Sequence, residues 1–149
     1  MSASADLQSA IEALLAAPGA LRVNVPVVKR RTKQLAAEIE AAAANKGLCL
    51  YVMPPLPTGA EQDVPFVFFN RAEVRVRIIE QPAANTTGAD AYDLVDDVAT
   101  ALQGQLIDGL LADILRLAAR PTEMVEDPRY RIIDVLFNAV YQLNPEPSE

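Results

Sequence analysis

Histidine and tryptophan are absent from this sequence, and cysteine occurs once, at Cys49. The lack of histidine removes the commonest general base and, with a single cysteine, most soft-metal ligand sets. A lone thiol also lacks its usual activating partner. Cys49 stands among Leu48, Leu50, Tyr51 and Val52 and reads as a small buried hydrophobe. Aromatic residues make up only 5% of the chain, which speaks against a stacking platform for single-stranded nucleic acid or an aromatic-walled cleft. Apolar stretches are interrupted well before the roughly 20 residues of a membrane span. The N-terminus, Met1-Ser2-Ala3-Ser4-Ala5-Asp6-Leu7, lacks the basic start and apolar run of a secretory signal. Phosphate-binding glycine patterns and a Gly-x-Ser-x-Gly elbow are missing too. Positive charge is scarce: 13 Lys+Arg against 20 Asp+Glu give −7, which argues against a dedicated nucleic-acid binder that works by neutralising phosphates, and no sequence-specific nucleic-acid partner is expected. Paired-carboxylate hydrolysis is the acid–base chemistry still open, and no spacing of acids marks such a pair.

What is present is a globular composition, with 51% hydrophobic and 22% charged residues in 149. That length suits one domain, 1–149, with 1–3 and 144–149 expected to fray. Leu7, Ala10, Ile11, Leu14 and Leu15 form a helical stripe with Ser4 as its cap and Pro18-Gly19 as its stop. Leu21 to Val28 reads as a strand, placed at a sheet edge or broken by Pro26, which has no N–H to donate. A helix over Lys33 to Asn45 closes on Gly47. Gly47 to Met53 is a short all-apolar run, the pattern of a strand buried on both faces. Residues 54–63 read as a Pro-rich loop. After it, Glu73, Arg75 and Arg77 alternate with Val74, Val76 and Ile78, the mark of a strand with one wet face. A polar loop, Gln81 to Gly88, precedes a helix with Ala91, Leu94, Val95, Val98, Ala99 and Leu102 inward. Gln105 to Ala112 is ambiguous. A strand is expected from Asp113 to Val125 with Pro121 as an interruption, and a long one from Tyr130 to Leu143. The order α-β-α-β-β-α-β-β predicts an α+β domain, a mostly antiparallel sheet with helices packed on one face.

Two charged clusters stand out. Lys29, Arg30, Arg31 and Lys33 form a basic run at the start of a helix, where positive charge opposes the macrodipole. Such a run suits an anion or an acidic patch on a neighbouring subunit, or simply a solvated connection. Asp90, Asp93, Asp96 and Asp97 crowd one helix. Oxygen ligands suit hard cations, but acids strung along a rod do not converge on a point. A solvated helix face, or a negative wall in a ring of copies, fits them better.

The order of elements resembles the tail terminator (tail completion) proteins of long-tailed bacteriophages and prophages. The resemblance rests on the strand Glu73 to Glu80 and the loop Gln81-Pro82-Ala83-Ala84-Asn85-Thr86-Thr87-Gly88. It continues in the helix ending Ala101-Leu102-Gln103-Gly104 and the turn Asp127-Pro128 before the strand Arg129 to Tyr141, and so covers residues 64–143. It implies a non-enzymatic virion protein, made in the host bacterial cytoplasm and placed in the virion tail, that caps the tail tube and takes part in head–tail joining. Its implied partners are further copies of itself in a ring, commonly a hexamer, the tail-tube protein and a head-completion or neck protein. No cofactor, metal or membrane is implied. Another neck component, or a monomeric ligand-binding or regulatory α+β domain, is the alternative. A head-to-tail ring needs two different complementary patches. The basic run Lys29, Arg30, Arg31 and Lys33 and the acidic helix 90–97, with Asp93, Asp96 and Asp97, are candidates for such a pair. The charged sheet face of Glu73, Arg75 and Arg77 suits further polar, register-setting subunit contacts.

Overall fold

The computed structural model describes residues 3–28, 35–64, 67–103, 116–117, 122–124 and 129–142. Its elements are α1 (Ala3–Ala16), β1 (Val27–Val28), α2 (Leu35–Lys46), β2 (Leu48–Val52), β3 (Leu56–Val64) and β4 (Val67–Glu80). After a single 3₁₀ turn at Pro82–Ala84 come α3 (Ala91–Leu102), β5 (Arg116–Leu117), β6 (Thr122–Met124) and β7 (Arg131–Gln142). Among the described residues the strands form one sheet, antiparallel except for the β1–β2 pair.

The sheet is built on two long strands, β4 and β7, paired in unbroken register from Phe69↔Gln142 to Glu80↔Arg131. Short strands complete both outer edges. Along β4, β2 pairs with residues 76–80 and β3 with residues 67–73. Along β7, β6 pairs with residues 132–134 and β5 with 137–138. The edge position expected for the strand holding Pro26 is found, but only Val27–Val28 joins the sheet. Pro26 still contributes its carbonyl, which accepts from the Leu50 N–H at 3.0 Å. β3 corrects the loop expected over 54–63. Its Pro57 and Gly59 argue against a strand, yet β4 offers it a ready-made edge, and two register irregularities absorb the misfit. The ambiguous segment 105–112, the interrupting Pro121 and the tail 144–149 lie outside the described residues.

Alternation along β4 and β7 divides the sheet into two faces. On the first, Ala72, Val74, Val76 and Ile78 meet Ile133, Val135, Phe137 and Ala139. Against them pack Leu7, Ile11 and Leu15 of α1 and Ala91, Leu94, Val98 and Leu102 of α3, all buried. The helical stripes expected from the sequence are these residues. α2 lies on the second face, where Ala43 buries Cys49 and Ile79 with Ile39, Ala42, Tyr130 and Ile132 around them. This corrects the expectation of helices on one face only. The reason was visible in β2: a strand buried at every position needs cover on both sides. Burial pushes the Cys49 thiol up to about 12, so it has no nucleophilic form near neutrality.

Gly47 joins the two layers. It ends α2 with φ +79°, its N–H donating to Ala43 O at 2.7 Å. Its carbonyl takes the Gln81 N–H at 2.9 Å, and a Cβ there would run into the backbone of Ala84 and Asn85.

Candidate functional site: the charged face of the sheet and the outer side of α3

Beyond α2 the second face carries charge instead of hydrocarbon. Arg77 and Asp134 are directly opposite in the β4–β7 register, and the guanidinium grips the carboxylate with Nε at 2.9 Å from Oδ1 and Nη2 at 3.1 Å from Oδ2. Arg75 reaches the same carboxylate at 3.5 Å and Glu73 at 3.1 Å. The order Glu73–Arg75–Asp134–Arg77 is a ladder of alternating sign. Asp134 is only 2% exposed while Arg75 and Arg77 are part-exposed, so the acid is buried beneath its partners. Two-pronged, charge-assisted bonds of this kind fix strand register and hold both guanidinium planes against the sheet.

A second ion pair ties the first-face helices together. Arg22, in the loop after α1, donates its backbone N–H and its Nε to Asp97 Oδ2 at 2.9 and 3.0 Å, and Nη2 to Oδ1 at 3.1 Å. Nη1 lies 3.3 Å from Asp93. Desolvation pushes the Asp97 carboxyl up, but the side-chain and backbone hydrogen bonds from Arg22 and its charge outweigh this and hold it below the usual carboxylate range. Asp93 also closes a capping box with Asp90, the N-cap of α3. Asp96 stands exposed beside Tyr92 and Thr100 on the outer side of the helix.

A third charged node sits at the start of α3. Glu80, 3% exposed, accepts from Asn85 Nδ2 at 2.7 Å, from the Ala91 N–H at 3.3 Å and from Arg131 Nη1 at 3.1 Å. The Arg131 guanidinium also lies over the Tyr92 ring, 5.1 Å from its centre. Asn85 gathers the rest of the loop, donating to Ala89 O and accepting from Thr87 N–H.

The structure therefore brings Arg75 and Arg77 together on one carboxylate, and ties Asp93 and Asp97 to Arg22 at the surface. Lys29, Arg30, Arg31 and Lys33 lie outside the described residues. Arg22, Glu80, Asp134 and Arg131 are the charged residues that sequence reasoning missed. Asp134 had a signal, as an acid in a run that is otherwise apolar from Ile132 to Phe137. Arg22 had none, because its partners Asp93 and Asp97 are 71 and 75 residues away. Among the described residues no group of three or more His, Cys, Asp or Glu could hold a metal ion, and no helix is long and apolar enough to cross a membrane.

No family model matches the chain and no curated protein matches it. Among solved structures, one titled "Virion of native gene transfer agent (GTA) particle" matches over 94% of this chain and 92% of its own, at TM-score 0.56 and 17% identity. That likeness concerns the fold. A second solved structure, at TM-score 0.49 and 16% identity, carries no argument.

Proposed function

We propose that this chain is a non-enzymatic structural protein of a phage-type particle, of the tail terminator kind. Copies form a ring, commonly six, that caps the tail tube and contributes to head–tail joining in the virion. The observation that carries this reading is the fold shared, almost end to end, with a chain of a gene transfer agent virion. The chemistry of the charged residues supports it. Asp134, Glu80, Asp93 and Asp97 are held by arginines or by the start of α3, where they set geometry instead of moving protons. The net charge of −7 suits a channel through which DNA passes without sticking. Contacts between copies fall to the charged positions Lys29, Arg30, Arg31, Lys33, Arg75, Arg77 and Asp96, which would set register and association rate more than total affinity.

Native mass spectrometry with a tail-tube capping assay tests the reading. A closed ring bound at one end of the tube, halting its growth, is the expected result. A ring that binds the head side without stopping tube growth would favour another neck component. A strict monomer at high concentration that ignores the tube would overturn the assembly role and leave a ligand-binding or regulatory domain.

A further inference from the structure

Between α2 and the start of β7 the second face has a groove of about 290 Å³. Ile39, Ala43, Ile132 and Tyr130 give it a hydrocarbon lining, and Arg77 and Arg129 stand at its margin. Arg129 is exposed, its guanidinium 5.4 Å from the centre of the Tyr130 ring. The volume is at the small end of the roughly 300–1,000 Å³ of small-molecule sites, and suits one inserted side chain from another protein. Arg77 is held by Asp134, so the apolar floor with the exposed Arg129 guanidinium beside it favours an aromatic or aliphatic group with a carboxylate next to it.

The chain displays such a group on the opposite side of the sheet. Among the described residues the large apolar side chains left exposed are Leu56 and Tyr92. Leu56 pairs with Glu73 and so lies on the same face as the groove. Tyr92 is on the outer side of α3, over the first face, half-exposed and already oriented by Arg131, which Glu80 anchors. One helical turn on is Asp96, exposed and outside the bonds by which Arg22 holds Asp93 and Asp97. A rigid aromatic ring loses little freedom on docking, which is what a central anchor requires.

We propose that the Tyr92–Asp96 face of α3 in one copy seats in the groove of a second copy, with the Tyr92 ring against Ile39, Ile132 and Tyr130 and the Asp96 carboxylate at Arg129. Knob and socket lie on opposite sides of the sheet, so the contact is head-to-tail, as a ring demands. The inference rests on the ring reading above and specifies its interface.

Native mass over a concentration series tests it on the full chain with Tyr92→Ala, Asp96→Arg, Arg129→Asp and the double variant Asp96→Arg with Arg129→Asp. Each single change falls at an exposed residue, and circular dichroism should stay that of the parent. Each should weaken assembly about tenfold or more, and the double variant should recover it because the reversed charges again face one another. Rings unaffected by the single changes, or a double variant no better than either parent, would overturn this contact while leaving the ring intact. A parent chain that stays monomeric both alone and with tail tubes would overturn the ring reading itself.

Discussion

Alternate residues of β4 and β7 build both faces of the central sheet, and the two faces obey different physics. The first is hydrocarbon packed under α1 and α3, where area removed from water sets the strength and the contacts are non-directional. The second is covered by α2 at one end and carries a ladder of ion pairs at the other, where strength depends on geometry. The first face holds the domain together. The second keeps its two long strands in register and leaves a patterned surface available to a partner.

Truncation of neighbouring residues on β7 measures that contrast most directly. Phe137 is fully buried on the first face, and Phe137→Ala should cost about 3–5 kcal/mol in urea unfolding. Leu136, its half-buried neighbour on the second face, should cost no more than about 1 kcal/mol when changed to Ala. Equal losses would erase the distinction. Asp134→Ala should come next, at about 3 kcal/mol, because it leaves Arg75 and Arg77 crowded without their shared counter-charge. The joint between the layers is tested by Gly47→Ala, expected to cost about 1–3 kcal/mol from its left-handed backbone and the contact with Asn85. The smallest effect belongs to the Arg22–Asp97 pair. Since Asp97 titrates below its unfolded value, its contribution is fully present above about pH 4 and disappears as pH falls through the lowered value. Thermal melts of Asp97→Asn and the parent should therefore differ at neutral pH and converge in acid. A gap that persists at pH 2 would assign the loss to something other than charge.

Much of the fold was legible because hydrophobic period is a local signal. Leu7, Ile11 and Leu15, the α3 stripe, and the alternation at 73–78 all reported their own burial. The α+β class and the antiparallel sheet followed from them. β3 was not legible, since Pro57 and Gly59 disfavour a strand and only the exposed side of β4 makes one. The site was half legible. Arg75 and Arg77 could be assigned to a wet face, but not to Asp134, since pairing β4 with β7 joins residues 57 apart in the chain. The acids of α3 were expected to look outward together. The loop after α1 instead delivers Arg22 between two of them, a choice made by tertiary structure alone.

β3 has a consequence for how such a chain stays dispersed in a crowded cell. Its outer side has no further strand among the described residues, and an open strand of nine residues is an invitation to amyloid-like stacking. Pro57 withholds a donor, and the breaks after Pro57 and Gln62 spoil the regular spacing that a fibril copies. Growth by strand addition is thereby disfavoured at this edge.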